Sequence, residues 1–342
     1  MEKTSSDNVE VEFSHSKQKS LSLKIKGARI FVIIALGMMT AINTVSAEPR
    51  YLVYYNSNAA PLLAAADADY THIIISFITL GPLVNGELTL LSPPEMVGQW
   101  SDVVKLKEAG KRVMISFGGG DMQADDYRVA IGREVELAKK ISEFVKQRGL
   151  DGVDIDFEVS SALKIPTPAG AFDGVSFLTA LTQALRDLLP QEYYLISHAP
   201  QPPYLDPLWH GGGYVKLLKQ VGEKIDWIAV QYYNNPSFDT QPKRTVVGEG
   251  DAPFVTSYVS IVEGRNGLVW PSDKLVVGKP VYKADAANGH LAPASVARTI
   301  VEPLRKRYGD QFGGLMGWQF STLTADHRYW NNEMAKSLGL KP

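Results

Sequence analysis

Short runs of apolar and β-branched residues recur along the chain after residue 50, each separated from the next by a segment long enough to hold a helix. Most of these runs are continuously apolar, as expected for parallel strands that are buried on both faces. The predicted strands span residues 51–55, 72–78, 112–117, 152–157, 194–198, 227–233, 275–281 and 315–320.

Three of the intervening segments have the period of an amphipathic helix, namely residues 134–148, 175–189 and 294–308. In the first of these, Leu137 and Ile141 belong to an apolar stripe on one helix face. Eight strands joined by helical crossovers predict an α/β protein whose single domain is a (β/α)8 TIM barrel. An open doubly wound sheet is the alternative, although no Gly-x-Gly-x-x-Gly follows the first strand, where a dinucleotide would need it.

The first 47 residues have the pattern of an export signal. A lysine-containing polar stretch precedes an apolar run at residues 30–42, and the small residues Ser46 and Ala47 follow it. The run is shorter than the roughly 20 residues of a transmembrane helix. We therefore predict a signal peptide at residues 1–47, a single domain at 48–342, and a secreted protein, either extracellular or periplasmic. An uncleaved anchor that holds the protein to a membrane through residues 30–47 is the alternative.

The composition narrows the function classes. The chain has 342 residues, a formal net charge of −2 and no cysteine. Without cysteine there are no disulfides, no thiolate metal sites and no cysteine nucleophile. The near-neutral charge gives no reason to expect a nucleic-acid partner.

The fourth predicted strand carries three acidic residues on one face. Because side chains alternate along a strand, Asp154, Asp156 and Glu158 share one side of it. Such a row is costly on an apolar strand, since the charges repel one another and burial removes their hydration. The pattern indicates a functional constraint. An edge strand with a solvated acidic face and a magnesium or calcium site are the alternatives.

The position of the last carboxylate suits acid catalysis. Glu158 lies where the strand gives way to a loop, and barrel enzymes have their active sites at that end. A proton on Asp156, itself crowded by Asp154, would let Glu158 donate at neutral pH. Most glycosidases use a second carboxylate as nucleophile or base. A single strand, however, places only one carboxylate within reach of the bond to be cleaved. The remaining route lets a 2-acetamido group of the substrate attack, with Asp156 holding that group.

The same residues resemble glycoside hydrolase family 18. Its motif Asp-x-x-Asp-x-Asp-x-Glu is matched by Asp151, Asp154, Asp156 and Glu158. Further similar elements are Ser-Phe-Gly-Gly-Gly at 116–120, Ala-Pro-Gln at 199–201, Gln-Tyr-Tyr-Asn-Asn-Pro at 231–236 and a tryptophan at 318. The resemblance extends over residues 48–342 and is closest to the single-domain class III (hevamine-type) chitinases.

The resemblance implies a role for each matched residue. Glu158 is expected to be the general acid and base, Asp156 to orient the acetamido group, Asp154 to tune Asp156, and Tyr233 to donate to the acetamido carbonyl. The implied substrate-binding residues are Gln231, Asn234, Trp318, Tyr54, Phe77 and Gly119, and the implied supporting residues are Asp151 and Ser116. No metal or cofactor is implied. His198 is either a donor that supports the site or a core histidine.

The activity implied by the resemblance is that of a secreted, monomeric endochitinase. It would cleave β-1,4-linked N-acetylglucosamine polymers with retention, through an oxazolinium ion. The segment between the seventh and eighth strands is too short for an inserted subdomain, which predicts an open cleft and favours endo action. An endo-β-N-acetylglucosaminidase acting on N-glycans or peptidoglycan is one alternative, because only the 2-acetamido group is required. A chitin-binding lectin is the other, although such lectins typically lose the glutamate or the middle aspartate.

Overall fold

The computed structural model describes residues 21–25, 28–32, 49–56, 60–320 and 325–342. Within a first unit, the segments Leu21–Ile25 and Ala28–Val32 pair as an antiparallel hairpin. A second unit, Ser46–Pro342, contains the other described residues. Most of the predicted signal peptide lies outside the described residues, so its presence stays a prediction.

Eight parallel strands close into a barrel, because each strand pairs with its neighbour in chain order and the last pairs with the first. They are β1 (Arg50–Tyr55), β2 (His72–Leu80), β3 (Arg112–Gly118), β4 (Gly152–Asp156), β5 (Leu195–His198), β6 (Trp227–Gln231), β7 (Leu275–Pro280) and β8 (Gly314–Phe320). A short strand, Leu90–Leu91, pairs antiparallel with the end of β2. The predicted (β/α)8 barrel is confirmed, and every predicted strand end lies within two residues of the observed one.

Helices follow the strands and surround the barrel. The α-helices are α1 (Asp102–Glu108), α2 (Ala124–Tyr127), α3 (Glu134–Gln147), α4 (Gly174–Leu188), α5 (Gly213–Val221), α6 (Ser237–Thr240), α7 (Tyr258–Val262), α8 (Pro293–Val296), α9 (Glu302–Tyr308) and α10 (Ala325–Leu338). None of these helices, in the part of the chain that is described, has the length and apolar character of a membrane span.

The predicted helix at 294–308 is present but irregular. A π-helical turn, Ala297–Val301, joins α8 to α9. Pro303 follows directly in the first turn of α9, and proline cannot donate a backbone hydrogen bond to the preceding turn. The apolar period at 294–308 predicts the buried face of this segment correctly but does not predict its π-helical hydrogen bonds.

The apolar core has two parts, one on each side of the barrel wall. The outward-facing strand side chains and the helices form the larger part. The barrel interior is filled by a smaller cluster that includes Leu52, Ile74, Met114, Ala229 and Val276. Polar side chains lie inside the barrel nearer the carboxyl ends of the strands, so the interior cluster forms a closed base beneath them.

A buried ion pair joins the barrel to the helix layer at the amino ends of β5 and β6. Arg186 Nη2 in α4 lies 2.7 Å from Asp226 Oδ2, and the same oxygen accepts the N–H of Ile196 at 2.7 Å. Arg186 also donates to the carbonyl oxygens of Leu189, Tyr194 and Lys224. One guanidinium therefore fixes the register of α4 against two strands.

Arg186→Met should lower the free energy of unfolding by about 3–5 kcal/mol, because it leaves the Asp226 carboxylate buried without its partner. Urea unfolding at neutral pH measures this. The control is Arg128→Met, which removes an exposed ion pair with Asp125 and should cost about 0–1 kcal/mol. Equal losses in the two variants would contradict the importance of the buried pair.

Candidate active site

The middle of β4 holds a carboxylate inside the barrel. Asp154 Oδ2 accepts the hydroxyls of Ser116 at 2.7 Å and Tyr54 at 2.8 Å, while Oδ1 accepts the hydroxyl of Ser197 at 2.7 Å. These donors come from β3, β1 and β5, whose inward-facing side chains converge on β4. Burial raises the pKa of Asp154 to about 6, and the three hydroxyls limit that rise because they favour the ionised form.

The next carboxylates along the same face are joined by glutamine side chains. Gln231 Nε2, at the end of β6, lies 2.9 Å from Asp156 Oδ1 and 3.4 Å from Glu158 Oε1. Gln201 donates to Glu158 Oε2 at 2.9 Å. Burial, then the charge of Glu158 and of Asp154, raise the pKa of Asp156 well above its usual range. Asp156 therefore retains a proton at a pH at which an exposed aspartate is ionised.

A tyrosine beyond β6 faces these carboxylates. Tyr233 is 9% exposed and lines the same cleft as Asp156 and Glu158. Burial, and then the charges of those two groups, raise the pKa of Tyr233 well above its usual range, so the phenol stays neutral. Its hydroxyl has no hydrogen-bond partner within the described segments. A neutral O–H donor is therefore available to a ligand beside Asp156.

The loop after β7 packs closely behind this tyrosine. Gly289 has φ +88°, and a Cβ atom there would lie 2.7 Å from Tyr233 Cα. Only glycine fits such an approach without displacing the tyrosine backbone. Asn234, with φ +59°, accepts the N–H of Ala287 at 3.0 Å and so joins the same two loops.

Aromatic rings form one wall of the cleft. The Trp318 ring lies 6.0 Å from that of Phe77 and 5.7 Å, edge on, from that of Tyr54. Trp318 Nε1 donates to the carbonyl of Asp285 at 3.1 Å, which orients the indole. The Ser76–Phe77 and Trp318–Gln319 peptide bonds are cis. An apolar ring face next to polar groups suits the face of a pyranose sugar.

The cleft at the carboxyl ends of the strands brings together most of the sequence-predicted site residues. It is lined by Asn56, Phe77, Gly120, Asp121, Asp156, Glu158, Gln231, Tyr233, Asn234, Asp285 and Trp318. Asp154 and Ser116 lie beneath it, in the hydroxyl network described above.

Two residues predicted to bind substrate are placed differently. Tyr54 is 1% exposed and lies under the cleft, where its hydroxyl donates a hydrogen bond to Asp154. Gly119 has φ +90° and donates its N–H to the Asp156 carbonyl at 2.8 Å, and a Cβ atom there would lie 2.8 Å from the Phe77 ring. Both residues therefore support lining residues and do not themselves face the cleft.

The predicted supporting residue Asp151 lies at the other end of β4. Its Oδ2 accepts the N–H of Val113 at 2.8 Å, and its Oδ1 lies 3.0 Å from Lys107 Nζ. These contacts join β4 to β3 and to α1 at the amino end of the barrel. Asp151 is thus separated from the cleft by the length of its strand.

The alternatives left open for His198 are resolved by its position. The ring is fully buried on the outer face of β5, with Nε2 3.1 Å from Thr182 Oγ1 and Nδ1 3.3 Å from the Tyr214 hydroxyl. Burial lowers its pKa to about 3, so the ring is neutral. His198 is a core histidine between the barrel and helices α4 and α5.

The comparison with known families decides what kind of protein this cleft belongs to. A family model described as glycosyl hydrolases family 18 matches residues 50–334. The chain belongs to glycosyl hydrolase family 18.

Individual relatives resemble the chain to different extents. A structure of a GH18 chitinase from Pseudoalteromonas aurantia is 32% identical with a TM-score of 0.72, and the match covers 84% of this chain and 99% of that one. A chitinase of Enterococcus faecalis is 26% identical over 247 residues, which are 68% of this chain and 67% of that protein. A protein of Penicillium expansum named secreted chitinase LysM12 is 30% identical over 51% of this chain and 12% of its own length.

Several residues of this family 18 site were not predicted from the sequence. Ser197 donates to Asp154, and Gln201 donates to Glu158. Ser197 could have been found from the sequence, because alternation along β5 turns it inward, opposite to His198. Asn56, Asp121 and Asp285 line the cleft from loops, where no sequence period applies.

The hard-metal alternative finds no support in the donor arrangement. Over residues 49–56, 60–320 and 325–342, no group of three or more histidine, aspartate or glutamate residues has the arrangement of a metal site. Three hydroxyls already donate to the two oxygens of Asp154, which leaves that carboxylate about one further acceptor position.

Ser197→Ala should raise the pKa of Asp154 above its value of about 6, by on the order of one pH unit, because a donor that favours the ionised form is lost. Titration of the carboxyl carbon signals in aspartate-labelled protein measures the change. The matched control is Ser142→Ala, which removes another buried hydroxyl whose acceptor is the Lys139 carbonyl in α3. An unchanged titration in Ser197→Ala would contradict the proposed balance of burial and hydrogen bonding.

Proposed function

We propose that this family 18 enzyme is a chitinase that hydrolyses β-1,4 linkages between N-acetylglucosamine units by a retaining, substrate-assisted mechanism. One observation carries the proposal. The Asp156 carboxyl and the neutral hydroxyl of Tyr233 line one cleft beside Glu158. An acceptor and a donor placed together are complementary to the N–H and C=O of an amide. A 2-acetamido group supplies that amide next to the bond to be cleaved.

In the first step of the proposed mechanism, Glu158 gives its proton to the glycosidic oxygen and the bond from that oxygen to C1 breaks. The acetamido carbonyl oxygen attacks C1 and closes an oxazolinium ring. Asp156 accepts the amide N–H through the oxygen that does not carry its proton, while Tyr233 donates to the carbonyl oxygen.

In the second step, Glu158 is a carboxylate and takes a proton from water as the water oxygen attacks C1. The oxazolinium ring opens, the acetamido group is restored and the configuration at C1 is retained. Gln201 and Gln231 hold Glu158 in position through both steps, since they contact its two oxygens. Trp318 would stack on the sugar.

The relatives support chitin as the substrate and export as the location. The Pseudoalteromonas aurantia and Enterococcus faecalis proteins are named chitinases, and the Penicillium expansum protein is named a secreted one. The residues between β7 and β8 form only helices and turns, without an added sheet. A cleft without an added subdomain leaves room for a chain to bind along its length, and we propose endo action for this reason.

Glu158→Gln should lower kcat on N-acetylglucosamine oligomers by about 10²–10⁴-fold, because the amide cannot transfer a proton. Oligosaccharide binding, measured by calorimetry, should remain. Glu143→Gln on the exposed face of α3 is the control and should retain full turnover. Turnover by Glu158→Gln at the original rate would refute the assignment. Parallel assays on N-glycopeptide and peptidoglycan test the substrate, and faster cleavage of either would overturn chitin.

A thiazoline analogue of the oxazolinium ion should inhibit competitively if the acetamido group is the nucleophile. Tyr233→Phe should weaken that inhibition by about two- to tenfold, since one neutral hydrogen bond is lost. Tyr193→Phe is the control, because Tyr193 is 75% exposed and precedes β5 at the opposite end of the barrel. Inhibition constants from initial rates give the comparison, and indifference of the enzyme to thiazoline would argue against substrate assistance.

A further inference from the structure

A lysine is buried behind the tyrosine that faces the cleft. Lys279 is fully buried and lies near the end of β7. On the same strand, Val276 belongs to the barrel interior and Val277 to the outer core, so alternation places Lys279 on the outer face. The lysine therefore lies outside the cleft and takes no part in the mechanism described above.

The amine of this lysine binds backbone carbonyls and forms no ion pair with any carboxylate that the structure describes. Lys279 Nζ donates to the carbonyl of Tyr232 at 2.9 Å and to that of Phe238 at 3.3 Å. Burial lowers the pKa of Lys279 to about 7, an effect that the charge of Asp239 opposes. A buried amine without an ion-pair partner is costly, and a methionine would fill similar space with apolar atoms. The reason for a lysine here is thus to be found in its two contacts.

The first contact holds the peptide group that carries Tyr233. The carbonyl of Tyr232 and the N–H of Tyr233 belong to one planar peptide group. Lys279 binds the carbonyl, while the N–H donates to the Gln231 carbonyl at 2.9 Å. Because both ends of the group are held, the direction in which the Tyr233 side chain leaves the backbone is fixed as well.

The second contact joins the same lysine to the helix that supports the neighbouring loop. Phe238 lies in α6 next to Asp239, and Asp239 Oδ2 accepts the N–H of Gly289 at 3.3 Å. Gly289 is the residue whose close approach to the Cα atom of Tyr233 leaves no room for a Cβ atom. The lysine therefore holds the backbone of Tyr233 directly and also holds the helix that binds the loop packed against it.

We propose that Lys279 is a positioning residue that aims the hydroxyl of Tyr233 at the acetamido group of the bound sugar. The inference rests on the proposed function, in which that hydroxyl donates to the acetamido carbonyl. Both the neutral and the ionised lysine have the two N–H groups that the two carbonyls need, so the contacts persist on either side of neutral pH. Removing the lysine leaves the phenol of Tyr233 chemically intact and changes its direction.

The test is a double-mutant cycle on inhibition by the thiazoline analogue of the oxazolinium ion. Lys279→Met should weaken inhibition of the otherwise wild-type enzyme by about two- to tenfold, because one neutral hydrogen bond to the inhibitor is misdirected. In the Tyr233→Phe enzyme there is no hydroxyl to aim, so Lys279→Met should change the inhibition constant by less than about twofold. A general loosening of the site would instead weaken inhibition by the same factor in both backgrounds.

Lys274→Met is the matched control. Lys274 directly precedes β7, and its Nζ donates to the carbonyl of Ile225 at 3.0 Å, at the opposite end of the barrel. This variant should leave inhibition unchanged in both backgrounds. Lys279→Gln is a second test variant for the case in which Lys279→Met does not fold. Its side chain is shorter by one bond, so it loses the 2.9 Å contact but remains polar, and it should show the same dependence on Tyr233.

The possible failures of this experiment have different meanings. Equal weakening by Lys279→Met in both backgrounds, or no weakening in either, would overturn the inference alone. Failure of both Lys279 variants to fold would also overturn it, since the lysine would then be required for stability. Indifference of the wild-type enzyme to thiazoline would instead overturn the proposed function, and the inference with it, so the two kinds of failure are distinguishable.

Discussion

The structure of this site depends on the solvation of one buried carboxylate. An ionised aspartate inside a barrel is costly unless polar groups replace its water. Asp154 receives three hydroxyls, from Tyr54, Ser116 and Ser197, and each comes from a different strand. β3 and β5 flank β4 within the sheet, whereas the hydroxyl from β1 reaches Asp154 because the closed barrel brings β1 to face β4 across its interior. The fold thus creates the conditions in which Asp156 keeps a proton.

The periodicity of apolar residues along the sequence predicts the fold. Continuous apolar runs with helical segments between them describe a parallel sheet covered by helices, and the eight observed strands follow those runs closely. Alternation along a strand also predicts chemistry where a side chain lies on that strand, as for Asp154 and Asp156. It fails for Asp121 and Asp285, because loop backbones set their positions. Sequence alternation also does not give depth, so Tyr54 shares a face with the cleft and yet lies below it.

Resemblance to a family and the contacts in the structure give different information about a residue. The family motif contains Asp156 and Glu158, and a second similar element contains Tyr233; the structure places all three around one cleft. The motif also includes Asp151, which stabilises the far end of the same strand. A motif records residues that occur together, whatever the reason for each. The contacts of each residue distinguish a structural role from a functional one. Asp151 binds a backbone N–H and a lysine, whereas the hydroxyl of Tyr233 is free among the residues described.

The charge of the cleft follows from the same requirement that protects the proton on Asp156. An arginine or lysine in the lining would favour the ionised form of that carboxyl and lower its pKa. The reaction proposed for this site thus disfavours nearby cations, and accordingly no lysine, arginine or histidine is among the described residues that line the cleft.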